Sequence, residues 1–156
     1  MDSFISFSLS VHNRRKSRTG HSLENHLEQI LIDNKLQFER GAKTENRSKP
    51  DFLFPGQQAY NRTDFPQTLL TMLGVKTSCK DRWRQVLVEA DKIPQKHLLT
   101  LEPGISNNQT EEMQSQSLQL VVPDIIFSSY GEKQQEWLLN VQDFILCVKE
   151  KQTEYF

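Results

Sequence analysis

The chain has 156 residues, 36% of them hydrophobic, and a formal net charge of −1. That length and composition suit one compact domain with a modest core. The two cysteines, with no partner histidine spacing, speak against a zinc site and fit a reducing compartment. No apolar run approaches the roughly 20 residues a membrane-spanning helix needs, and Met1-Asp2-Ser3-Phe4-Ile5 lacks the basic start of a secretory signal. The expected setting is the cytoplasm, with no membrane partner.

Near-neutral net charge does not exclude a nucleic-acid partner, because distribution matters more than the sum. Residues 14–18 read Arg-Arg-Lys-Ser-Arg and residues 80–84 read Lys-Asp-Arg-Trp-Arg, while acids gather at 102–112 and 132–136. Two basic clusters can make one positive face on an otherwise acidic surface.

In chain order, residues 1–13 show no clear period. Ser22 caps a predicted helix to about Asn34, with Leu23, Leu27, Ile30 and Leu31 as its buried stripe and Glu24 and Glu28 at the rim. Residues 35–49 read as a strand and loop. Phe52-Leu53-Phe54 is a short apolar strand ended by Pro55-Gly56. A second strand is expected over Leu69–Lys76, then a helix from about Asp81 to Asp91 burying Trp83, Val86, Leu87 and Ala90 and stopped by Ile93-Pro94. His97–Leu101 and Leu118–Val122 read as strands, and Asn108–Gln116 as a polar helix between them. Gly131–Lys151 reads as one long amphipathic helix with a stripe of Trp137, Leu138, Val141, Phe144, Ile145 and Val148. Strands alternating with helices predict an α/β fold with a central mixed sheet flanked by helices.

Within that frame the chemistry concentrates in Asp51, Lys76 and Glu89. Asp51 opens an apolar strand, and Lys76 closes another, where an ammonium is costly unless it has carboxylate partners or a task. Hydrolysis of a phosphodiester needs a hard divalent cation on oxygen ligands, a polarised water, and positive charge beside the phosphate. The common nuclease pattern puts an acid two residues before the lysine, but that position is Gly74. Glu89, bordering the buried face of the next helix, is the expected substitute. Arg82 lies about two turns earlier on nearly the same stripe and can orient Glu89 or hold a phosphate. Glu24 is a further acid that can join the cluster. Each residue alone also fits a solvated surface role, Tyr60 a loop aromatic, and the four histidines show no metal spacing.

Several segments together resemble the EcoRII carboxy-terminal catalytic-domain family of the PD-(D/E)XK nuclease superfamily. They are Asn13–Arg18 with Ser22–Glu28, Lys49–Pro55, Leu73–Val86 through Glu89-Ala90, Lys96–Leu101, Gly104–Ser106 and Leu120–Pro123. The Cys-Lys-Asp-Arg-Trp-Arg run is the most specific, and the likeness covers about residues 4–148. It implies the restriction-endonuclease-like fold and a Mg²⁺-dependent type II endonuclease acting on double-stranded DNA at 5′-CCWGG-like sites. It implies a homodimer, and a cognate DNA cytosine methyltransferase in the same system. By position it implies Asp51, Lys76 and Glu89 as the catalytic core. Glu24 falls on the first-helix acid, Tyr60 on the tyrosine after the Pro-Asp strand, and Arg82 on the arginine after the lysine. Arg15, Lys16 and Arg18 fall on base-contacting positions.

The expected organisation is a single catalytic domain over 1–156 with nothing corresponding to an amino-terminal effector domain, hence a short relative or a fragment of a longer protein. Two other readings stay open: a DNA-binding fragment of this fold without useful catalysis, and a repair nuclease that prefers DNA structure to sequence.

Overall fold

The structure, a computed structural model, describes residues 22–42, 44, 49–80 and 82–154. Arg15, Lys16 and Arg18 lie outside the described residues.

Helix α1 covers residues 22–33. Its i, i+4 leucines, Leu23, Leu27 and Leu31, are fully buried, as the spacing predicts. Six strands follow: β1 (Glu39–Arg40), β2 (Phe52–Phe54), β3 (Thr71–Lys76), β4 (Lys96–Thr100), β5 (Leu118–Val122) and β6 (Leu139–Asn140). Their order in the sheet equals their order in the chain. β1, β2 and β3 pair antiparallel, and β3 to β6 pair parallel, so the sheet is mixed.

The inner strands lack a polar alternation because both faces are covered. Phe52, Phe54, Leu73, Val75, Leu99 and Val121 pack in one layer with α1 and the last helix, α6 (Val141–Thr153). Leu53, Met72, Leu98, Leu120 and Val122 face the opposite layer. That second layer comes from the three parallel crossovers. They are a 3-10 helix at Arg82–Val88, helix α3 (Asn107–Ser115), and the short pair α4 (Asp124–Phe127) and α5 (Glu132–Trp137). Helix α2 (Gln57–Asn61) contributes Tyr60 to the same side.

Two predicted elements differ. The long helix expected over 131–151 is interrupted: Leu138 is extended, and Leu139-Asn140 pair with Val121-Val122 as the sheet edge. One continuous helix would put the whole apolar stripe on one side. The break instead sends Leu138 to one layer and Val141, Phe144, Ile145 and Val148 to the other. Asn140 then caps α6, its side chain accepting the N–H of Asp143 at 2.7 Å. The helix expected over 81–91 is a tighter 3-10 turn ending at Val88, so Glu89 lies just past it rather than on it. Among the described residues no helix is long and apolar enough to cross a membrane.

Candidate active site

Asp51 immediately precedes β2. Because Phe52 faces the α1/α6 layer, alternation sends Asp51 to the other face, and the pairing of Phe52 with Leu73 sets it beside Gly74. Its Oδ2 accepts the backbone N–H of Val75 at 2.7 Å, which ties the β2 entrance to the end of β3. Burial pushes its pKa above the ordinary carboxylate value, against the pull of that N–H, Lys76 and Arg40. Lys76 is the last residue of β3, half-buried, and shares a face with Met72 and Gly74.

Glu89 reaches the same place from the crossover. Its carboxyl is pushed up to about 7, first by burial and then by the charge of Asp51, while Lys76 and Lys96 pull it down. Its Oε1 is buried and has no hydrogen-bond partner among the described residues. Asp51 and Lys76 thus lie close enough for their charges to act on Glu89, on one face of the sheet. Gly74 makes the approach feasible: a Cβ there would stand 3.0 Å from Cγ2 of Val86 and 3.6 Å from Cδ1 of Leu98. With only hydrogen at position 74, Val86 beds against the strand and the 3-10 helix settles low enough to deliver Glu89 next to Asp51.

The turn after Glu89 is held from several sides. Ala90 adopts a left-handed backbone, φ 51°, which a residue with a Cβ adopts only under constraint. Its N–H donates to Oγ1 of Thr44 at 3.3 Å, and its carbonyl accepts the N–H of Ile93 at 2.9 Å. Tyr60 is 1% exposed. Its hydroxyl accepts the N–H of Lys92 at 3.0 Å, and its carbonyl accepts Lys92 Nζ at 2.6 Å. The ring that looked like a loop aromatic therefore fastens the segment that carries Glu89.

Glu24 and Arg82 come near the cluster by other routes. Glu24 meets Arg40 at 3.4 Å, Arg40 also binds Glu28 at 3.1 Å, and the charge of Arg40 acts on Asp51. Glu24 thus pairs with the guanidinium whose charge reaches Asp51. Among the described residues no three His, Cys, Asp or Glu side chains gather closely enough to hold a metal. Arg82 is exposed and donates to the carbonyl of Ser78, and the charges acting on Glu89 are those of Asp51, Lys76 and Lys96. The loop beneath Arg82 is fixed by Glu102, whose Oε1 accepts from Ser78 Oγ, Cys79 N and Lys80 N at 3.2, 2.9 and 3.0 Å. Arg40, Lys96 and Glu102 went unnoticed in the sequence. Each is an ordinary charged residue whose role depends on contacts more than ten residues away or on burial that a strand start does not advertise.

Two adjacent carboxylates of raised pKa, one with a buried unpartnered oxygen, suit a hard divalent cation with oxygen preference. In metal-free protein Glu89 keeps its proton when folded but loses it when unfolded between about pH 4.5 and 7. Stability should therefore fall as pH rises through that window and level off above it. Thermal melts of Glu89→Gln without metal are expected to lose that component, and an identical pH profile to the parent would contradict the placement.

The family model described as EcoRII C terminal matches residues 1–145. Type II restriction enzyme EcoRII of Escherichia coli is 51% identical over 146 residues, which cover 93% of this chain and 36% of that protein. The chain thus spans about a third of that relative's length. Among solved structures, metal-depleted Ecl18kI in complex with uncleaved, modified DNA superposes with a TM-score of 0.76 at 20% identity, over 94% of this chain and 50% of that one. Metal-depleted Ecl18kI in complex with uncleaved DNA gives 0.74 at 18% identity, with the same coverage. The overall fold is shared with those structures, and the match to the family model runs through every strand and the turn that bears Glu89. The chain belongs to the EcoRII C-terminal family.

Proposed function

We propose that the chain is the catalytic domain of a type II restriction endonuclease, hydrolysing phosphodiester bonds of double-stranded DNA at 5′-CCWGG-like sites with Mg²⁺. The observation that supports it most is the meeting of Asp51, Lys76 and Glu89 on one sheet face in a member of this family. Asp51 and Glu89 would hold the ion, and Glu24 would reach it through water. A magnesium ion held there supplies Lewis acidity and neutralises charge on the phosphate oxygens.

The remaining steps belong to the protein. The Lys76 ammonium, fixed at the end of β3, orients the attacking water and offsets the charge gained by the pentavalent phosphate. Tyr60 keeps the Glu89 turn in place. Arg82 spends one N–H on Ser78 and retains other donors for a phosphate near the scissile bond. Arg15, Lys16 and Arg18 are proposed as the base-reading residues, since arginine matches O6 and N7 of guanine in the major groove. A symmetric target cut on both strands calls for a two-fold dimer. Such an enzyme would act in the cytoplasm beside a cognate DNA cytosine methyltransferase.

Incubation with Mg²⁺ and a plasmid bearing CCWGG sites is expected to give discrete fragments, with none from a scrambled-site plasmid or with chelator present. Intact plasmid despite folded protein would remove the activity from this reading, and fragments from both plasmids would favour a structure-selective nuclease. Because protons compete with metal at Glu89, cleavage should rise as pH is raised through about 7.

A further inference from the structure

Lys96 is the first residue of β4 and only 5% exposed, an unusual place for an ammonium. Removing a charge from water is costly unless partners replace the solvent. The partners here are specific. Lys96 Nζ donates to the carbonyl of Ala90 at 2.8 Å and to that of Ile93 at 2.6 Å. Those two carbonyls bracket the turn that follows Glu89 directly. Ala90, at φ 51°, is the left-handed residue on which that turn pivots. Its carbonyl accepts both Lys96 Nζ and the N–H of Ile93, so the ammonium clamps the turn at its strained corner.

Tyr60 and Thr44 also touch this turn, but both are uncharged. Lys96 alone among the three brings a positive charge that the Glu89 carboxylate feels. Glu89 Oε1, meanwhile, is buried with no hydrogen-bond partner among the described residues, so no direct bond from a neighbour fixes that oxygen. Where that oxygen lies therefore depends on the backbone that carries it and on the charges around it.

We infer that Lys96 is a positioning residue for Glu89, clamping the Ala90–Ile93 turn and lending it a buried positive charge, so that Glu89 is presented to a divalent cation together with Asp51. This rests on the nuclease reading above and adds a residue to it. Lys96 does not touch the reacting atoms. A neutral group able to hydrogen-bond both carbonyls would preserve the turn, and a charge without those bonds would preserve only the field. The amine at position 96 supplies both.

The test is direct ion binding, separate from turnover. The full chain is bound to a CCWGG oligoduplex and titrated with Ca²⁺ by calorimetry, with a thermal melt of each variant as the fold control. Lys96→Met keeps the aliphatic volume and removes the amine. It is expected to melt cooperatively, bind the duplex as the parent does, and weaken Ca²⁺ binding about tenfold or more, as loss of a group that orients a metal ligand typically does. Lys96→Arg, which retains charge and donors, should recover most of that loss. In a Glu89→Gln background, Lys96→Met should weaken ion binding no further, because the residue through which it acts is already gone.

Unchanged Ca²⁺ affinity in folded Lys96→Met overturns the inference, as does a further loss of equal size in the Glu89→Gln background. If Lys96→Met fails to fold, Lys96→Gln, which keeps a donor, takes its place; failure of both assigns Lys96 to the core and also overturns the inference. A parent protein that binds neither duplex nor ion contradicts the nuclease reading itself, which separates the two failures.

Discussion

Lys76→Ala is expected to lower single-turnover cleavage by about 10³-fold, the scale seen when one preorganised donor to a developing oxyanion is removed, while duplex binding stays within a few-fold of the parent. Lys76 ends β3, and its charge pulls against the raised pKa of both Asp51 and Glu89. Deleting it lets the pKa of both acids rise and removes a positive charge that repels a metal ion. At a pH well above 7, where Glu89 is ionised, the apparent Mg²⁺ requirement should therefore hold or improve while the rate collapses. That split separates a residue acting on water and phosphate from one acting through the cofactor. Lys76→Arg is not expected to rescue the rate, because a planar guanidinium cannot stand in for a compact ammonium at a fixed point. Parallel loss of binding and cleavage would count against the assigned role.

The fold was legible wherever one period dominated. Leucines at 23, 27 and 31 read as a buried helical stripe and Phe52-Leu53-Phe54 as a short apolar strand, and the structure buries both. The stripe from Trp137 to Val148 misled because helical spacing continues across Leu139-Asn140, although two residues of strand pairing with β5 move its halves to opposite layers. Local periodicity carries no information about which side of a sheet a side chain will meet. The site followed the same division. Asp51 and Lys76 stood out as charges at the ends of apolar strands, and Glu89 as the acid bordering the next buried face. Arg40 and Lys96 did not stand out, since one acts on Asp51 across the β1–β2 pairing and the other becomes buried only when the turn after Glu89 folds back onto β4. Arg82 looked two helical turns from Glu89, but a 3-10 turn has three residues per turn and ends before Glu89, and its guanidinium rests on Ser78.

On the proposed function, Gly74→Ala should cripple cleavage although it touches no charged group. The new methyl would meet Val86 Cγ2 at 3.0 Å and Cγ1 at 3.4 Å, and Val86 is 1% exposed, so the valine must give way inside the core. Overpacking of this kind costs about 1–3 kcal/mol. The easiest relief is to lift the 3-10 helix away from the sheet, and Glu89 follows that helix directly. A misplacement of about 1 Å in a catalytic group can cost about 10²-fold in rate, so cleavage should fall more steeply than stability. Gly74→Ala combined with Val86→Ala trades one methyl for two others at the same contact. The pair should recover much of the lost cleavage, a non-additivity expected of residues in direct contact. Gly74→Glu, which writes in the acid of the commoner nuclease pattern, should fail to rescue Glu89→Gln for the same steric reason. Rescue by Gly74→Glu, or additive losses in the alanine pair, would mean that the space above Gly74 does not govern where the second carboxylate sits.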